Sequence, residues 1–171
     1  MPTVRLINSG VESGEDSVPA FRDEIVKFAG GDLLLYRAES PQGLVNAQEQ
    51  HWDDALVRLA RHFGVSFQPT FGILHQAQPQ TTLDRLAEVL ANEHLISLTA
   101  MVSMTGLTGS GLLTLGYWHK LIDADAVWAA AHVDEDYQIT QWGSDEEAAD
   151  RRAMRRVEFD TAVAVLEAMR A

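Results

Sequence analysis

Six histidines, at positions 51, 62, 75, 94, 119 and 132, are the side chains of this 171-residue sequence best suited to hold a metal or move a proton near neutral pH. None stands in a His-x-x-x-His or His-Glu-x-x-His arrangement, so a zinc site would have to be assembled wholly through space. His132 precedes Asp134 and Asp136, but residues two apart on a helix point about 200° away from each other, and one ion could hardly engage both. Cysteine is absent, which removes disulfides, thiolate nucleophiles, iron–sulfur clusters and cysteine-ligated zinc. Neither a metal nor a cofactor is expected.

Gly106-Leu107-Thr108-Gly109-Ser110-Gly111 precedes an apolar helical run, where free backbone N–H groups could receive a phosphate. The segment lacks the Gly-Lys-Ser/Thr ending of a P-loop and the glycine order of a dinucleotide fingerprint. A simpler account makes Ser110 a helix N-cap and uses Gly106, Gly109, Gly111 and Gly116 to bring two helices close. Ser110 is not in Gly-x-Ser-x-Gly. No catalytic set stands out, and the chain is not expected to be an enzyme. A phosphate-binding or enzymatic helical protein using this turn and His119 is the competing account.

Acidity is the strongest compositional signal. The formal charge is −12, and residues 91–150 hold ten acidic side chains against Lys120 alone. Without a Lys/Arg-rich run outside the arginines near 151–156, nucleic acid is an unsuitable partner. One acidic group is Asp134, Glu135 and Asp136; another is Asp145, Glu146, Glu147 and Asp150, followed by Arg151, Arg152, Arg155 and Arg156. The second reads as a solvated helix face pairing with arginines one turn downstream. The first has no basic neighbour in sequence, so its field is expected to be less compensated and able to steer a basic surface on another protein. Tyr137, Gln138 and Trp142 follow it before Gly143. Aromatics among carboxylates can form a helix-end anchor or an interface hot spot.

The elements that must position these residues are mostly helical. Ser17 with Pro19 starts a first helix that Gly30-Gly31 stops. Asp32–Arg37 is a short apolar run suited to a strand or extended segment, and Val65–Phe71 alternates like a second strand. Between them, Leu44, Val45, Gln48, Trp52, Ala55, Leu56, Leu59, Ala60 and Phe63 trace one helical face that ends at Gly64. Further helices are expected over 82–91, 94–104, 110–120, 123–137 or a little beyond, and 145–169. Short connections make them antiparallel neighbours. Leu95–Tyr117 is weakly charged but carries four glycines and seven Ser/Thr, which suits a buried helix pair better than a membrane span. Met101 and Met104 fall within it, as core residues or an adaptable binding surface. The fold expectation is mainly α: a compact bundle of about six to seven helices with one or two short strands in the N-terminal half. Residues 1–31 form a lead-in and first helix, and 32–171 a helical domain.

The order of several short segments resembles one family. These are Asp32-Leu33-Leu34-Leu35-Tyr36-Arg37-Ala38-Glu39; Leu44-Val45 with Gln48 and Trp52-Asp53; Arg61-His62-Phe63-Gly64-Val65; Gly72-Ile73; Thr108-Gly109-Ser110 with Leu115-Gly116; and Asp134-Glu135-Asp136-Tyr137-Gln138-Ile139 through Gln141-Trp142-Gly143. The pattern resembles the ATP synthase assembly chaperones that bind the α subunit of the catalytic head, known from mitochondria and α-proteobacteria. Members carry a β-rich region upstream, and this sequence is expected to begin near the end of it. Eleven Arg against two Lys fits a bacterial member.

What the resemblance implies is a non-enzymatic chaperone, monomeric when free, that covers the free ATP synthase α subunit until it meets β. Asp134, Glu135, Asp136, Tyr137, Gln138 and Trp142 are the expected partner-binding residues. The start of the sequence lacks the apolar run of a signal peptide, and Glu12, Glu15 and Asp16 are unlike a transit peptide. The expected location is cytoplasmic in a bacterium, or the mitochondrial matrix in a eukaryote.

Overall fold

Residues 2–171 are described by the computed structural model. Proline in the first turn, where no intrahelical donor is needed, opens α1 (Pro2–Ser13) and α2 (Val18–Gly30). α1 falls in the stretch expected to be a lead-in. Its sequence hid it: the only fully buried residue is Gly10, while Val4, Ile7 and Val11 remain exposed. Gly10 is where α1 crosses the central helix, and a Cβ there would lie 2.7 Å from Thr99 Oγ1. Side-chain volume, the usual signature of a buried face, is what that crossing forbids.

After α2 the chain makes one 3₁₀ turn, Leu33–Leu35, and a two-residue strand, β1 (Tyr36–Arg37). β2 is Thr70–Phe71, paired parallel to β1 with Tyr36 opposite Thr70 and Arg37 opposite Phe71. Only the end of the expected second strand is paired, because Pro69 has no N–H to donate. Between the strands runs α3 (Gln42–Phe63), which buries Trp52, Leu59 and Phe63 and ends at left-handed Gly64. The Trp52 indole N–H donates to the Ala130 carbonyl at 2.8 Å, tying α3 to the second half of the chain.

α4 (Gln80–Val89) leads to α5 (Leu95–Thr108) and α6 (Gly111–Trp118). These last two are apolar around much of their circumference, and Leu98, Met101, Met104, Leu112 and Leu115 are fully buried. They form the expected buried helix pair, and both methionines are core. No helix among the described residues is long and apolar enough to cross a membrane. α7 (Ala124–Ala131) and α8 (Val133–Trp142) replace the single helix expected from 123. The break is at His132 (φ −115°, ψ 18°), whose ring stacks 4.0 Å from that of Trp128 while Nδ1 donates to the Trp128 carbonyl. α9 (Glu146–Arg170) packs Phe159, Ala162, Val165 and Leu166 along α5. The chain is mainly α, with two helices more than expected: α1, and the one created by the break.

The turn between α5 and α6 is set by a carboxylate. Asp32, fully buried, accepts from Ser110 Oγ at 2.6 Å, Leu112 N at 2.9 Å and Leu34 N at 3.1 Å. Ser110 caps α6 as expected, its Oγ accepting from Leu113 N at 2.9 Å. Gly111 is needed for close approach, since a Cβ would sit 2.5 Å from the Ile25 carbonyl oxygen; Gly116 likewise meets Ile122. Gly106 and Gly109 have open space around them, and Gly109 instead supplies the positive φ that ends α5. The phosphate account therefore fails at its proposed site, because the chain's own carboxylate occupies the helix N-terminus. His119 also lies nine residues beyond Ser110, about 13 Å along α6, against Phe63 and His62.

Burial pushes the Asp32 carboxyl up from 3.8 to about 7, against hydrogen bonds from Leu112, Ser110 and Leu34 that pull it down. The folded chain thus holds this proton more tightly than the unfolded chain, so the stability it adds is complete below 3.8 and is lost as pH rises through about 7. Two outcomes follow for denaturant unfolding. Asp32→Ala, which orphans three buried donors, costs about 3 kcal/mol. The stability gap between wild type and the non-ionising Asp32→Asn is widest below about pH 4 and shrinks as pH rises to about 7; a gap that grows with pH instead would mean that the folded chain ionises this carboxyl below 3.8.

Candidate protein-binding face

α8 carries all six residues expected to bind a partner, and the 3.6-residue period sorts them into three directions. Asp134 and Tyr137 face α3. Asp134 accepts from Gln48 Nε2 at 2.9 Å, and the Tyr137 ring covers Gly43, where a Cβ would lie 3.1 Å from it. Gln48 is itself buried and accepts with Oε1 from the Ala38 N–H at 2.8 Å. One amide thus links the end of β1, α3 and α8.

Asp136 and Glu135 meet arginines of α9. Asp136 accepts from Arg152 at 2.5 Å, and Glu135 from Arg155 at 3.4 Å. The expectation that this acidic group is the less compensated of the two is corrected here: its partners come from 16 and 20 residues downstream, across the turn that folds α9 back on α8. The second acidic group is the barer one. Glu147 alone reaches Arg151, at 4.0 Å, while Asp145, Glu146 and Asp150 have no ion pair among the described residues. The arginines expected to serve it point elsewhere, Arg152 and Arg155 to α8 and Arg156 to Asp125 at 3.1 Å. These pairs are partly exposed, so each contributes at most about 1 kcal/mol.

Gln138, Ile139 and Trp142 form an outward strip, with half-buried Glu135 at its edge toward α9. Trp142 is 83% exposed and Ile139 38%. A helix-end anchor would be buried, so the anchor account does not describe Trp142. Gly143 (φ 84°) closes the helix immediately after it, its N–H donating to the Ile139 carbonyl. The strip ends in a bare indole, about two helical turns from the Glu135 carboxylate that Arg155 partly matches.

His132 sits beneath this face. Burial lowers its pKa, as do Arg152 and Arg155 nearby, while the hydrogen bond to the Trp128 carbonyl and Glu135 raise it. His132 lies inside the core, with Asp134 directed to Gln48 and Asp136 to Arg152. No group of three or more metal-ligating side chains occurs among the described residues.

A second exposed apolar feature escaped the sequence reading. Ile73 is 101% exposed and Leu74 72%, at the tip of the loop after β2, next to half-exposed Phe71. The available signal was a pair of aliphatics inside a glycine- and glutamine-rich loop, where no core could claim them.

Comparison with known proteins places these features in a lineage. Residues 1–60 match the family model described as ATP12 chaperone protein. The fold is similar to the crystal structure of a putative chaperone from Agrobacterium tumefaciens, Atu1473, with a TM-score of 0.94 and 36% identity over 99% of this chain and 63% of that one. It is also similar to Atp12 from Paracoccus denitrificans, with a TM-score of 0.92 and 30% identity over 98% of this chain and 72% of that one. A mutant of the Paracoccus protein matches at the same TM-score and identity. The chain spans just under two thirds of the Agrobacterium protein's length. The identity and coverage of the Paracoccus match show that this chain belongs to the ATP12 chaperone family.

Proposed function

We propose that this chain is an assembly chaperone of ATP synthase that holds the free α subunit of the catalytic head until the β subunit displaces it. The observation that carries the reading is Trp142, left bare at the end of an acidic helix in a member of the ATP12 family. An exposed tryptophan gains by desolvation against a complementary pocket, and truncating such a residue in an interface typically costs about 2 kcal/mol or more. Glu135 and Asp136 orient a basic patch on the client. Free α exposes a surface meant for β, and covering it suppresses self-association. Release needs no nucleotide chemistry if β makes the larger contact, since a stronger competitor empties the chaperone by mass action.

The arginine pairs refine how the acids act. Arg152 and Arg155 hold the Asp136 and Glu135 carboxylates in place, so less side-chain freedom is lost on binding. A client arginine would then share these carboxylates with α9.

Coexpression with the α subunit of the same organism tests the reading directly: soluble α rises and the two chains migrate together on a sizing column. Unchanged precipitation of α in the presence of the chain would end it. Trp142→Ala weakens capture about 30-fold while its melting temperature stays within about 2 °C of wild type, because the indole is exposed. Glu135→Lys faces Arg155 and loses one partly exposed pair. It weakens capture about tenfold and lowers the melting temperature by less than about 4 °C. A large loss of stability with capture intact would assign Glu135 to the fold alone.

A further inference from the structure

We propose that the groove between α3 and the β1–β2 pair is a docking site for a polypeptide segment that presents an apolar side chain beside a lysine or arginine. This rests on the chaperone reading only in assigning that segment to the client.

The groove has a volume of about 440 Å³, and Val45, Leu56 and Val57 from α3 face Pro69 and Phe71 across it. Val57 and Phe71 are each about half exposed although both are large and apolar. Ile73 and Leu74 carry the apolar surface past Phe71, giving a length that suits a chain segment better than a compact metabolite.

Charge selects the occupant. Arg37 is the one cation lining the groove, and its charge is committed within the protein. Its Nε donates to the Leu34 carbonyl at 2.7 Å, one terminal nitrogen donates to Asp53 at 2.6 Å, and the guanidinium lies 5.3 Å from the Trp52 ring centre. Glu49 and Asp53 stand one helical turn apart on the rim. Asp53 is exposed but its charge is matched by Arg37, so the unpaired acid on this turn is Glu49, which has no ion pair among the described residues. Glu39 adds a third carboxylate where it lies against Gly72, 3.4 Å from a Cβ built there. An apolar floor with an acidic rim favours an apolar anchor flanked by a cation and disfavours an acidic segment.

The groove also adjoins the α8 face. Gln48 lines it, and the Nε2 of the same side chain holds Asp134. A client lying across α3 would reach both surfaces.

Fluorescence anisotropy with the full chain provides the test, using a labelled short peptide of alternating Leu and Lys and its counterpart with Glu in place of Lys. The Leu/Lys peptide binds and the Leu/Glu peptide does not. Val57→Asp weakens binding at least tenfold even though it makes the groove more negative, and Glu49→Lys and Phe71→Ser weaken it as well, with circular dichroism melts confirming that each variant is folded. All three positions are exposed, and should one variant fail to fold the others carry the comparison. Binding to Val57→Asp that is unchanged or tighter would show attraction to the overall charge of −12 and overturn the proposal, as would no binding by wild type. Peptide binding at the groove without capture of the intact α subunit would refute the chaperone reading and leave the groove assignment standing.

Discussion

A buried carboxylate with three short hydrogen bonds governs how the two halves of this molecule meet. Asp32 follows α2, yet its bonds to Ser110 and Leu112 lie 78 and 80 residues away in sequence. They fix the start of α6 against the end of α2 closely enough that Gly111 cannot carry a side chain. Placing an acid there costs desolvation, and the helix N-terminus offsets it by offering donors that would otherwise be unsatisfied. From this anchor the chain can leave only along Leu33–Arg37, pair with β2 and enter α3 at a defined angle. The orientation of the α8 face is a downstream result of that placement.

Two kinds of contact then divide the structure. The interior is apolar and continuous, joining Ile25, Leu34, Trp52, Met101, Leu112, Trp128 and Phe159 in one cluster. The acidic helix lies outside it. Val133 is its only buried residue, and it is secured by the Gln48 amide, the Tyr137 ring on Gly43 and two arginines. Such partly exposed polar ties are individually weak. Orientation of α8 therefore comes from several directions at once.

How much the sequence reveals follows the same division. Helices with a long apolar stripe, α3 and α9 above all, are legible because periodic burial demands periodic sequence. The caps at Ser110 and Gly64 are legible for a related reason: each residue type solves a backbone problem at one place. α1 is illegible because its buried residue is a glycine, and the α7–α8 break because His132 gives no local sign that its ring will stack back on Trp128. At the site, residue types left Trp142 open between a helix-end anchor and an interface, and the family resemblance supplied both the partner-binding reading and a client. Its ion pairs were misassigned, since pairing rules within one helix cannot see that Arg152 and Arg155 will face a neighbouring one. The Val57–Phe71 groove was invisible for a similar reason: its walls are brought together by a parallel pairing of only two residues.

The slender burial of α8 has a bearing on how such a protein changes over time. Substitutions along the outward strip change the surface while leaving the interior untouched. Lineages can therefore vary this face without first acquiring compensating mutations in the core.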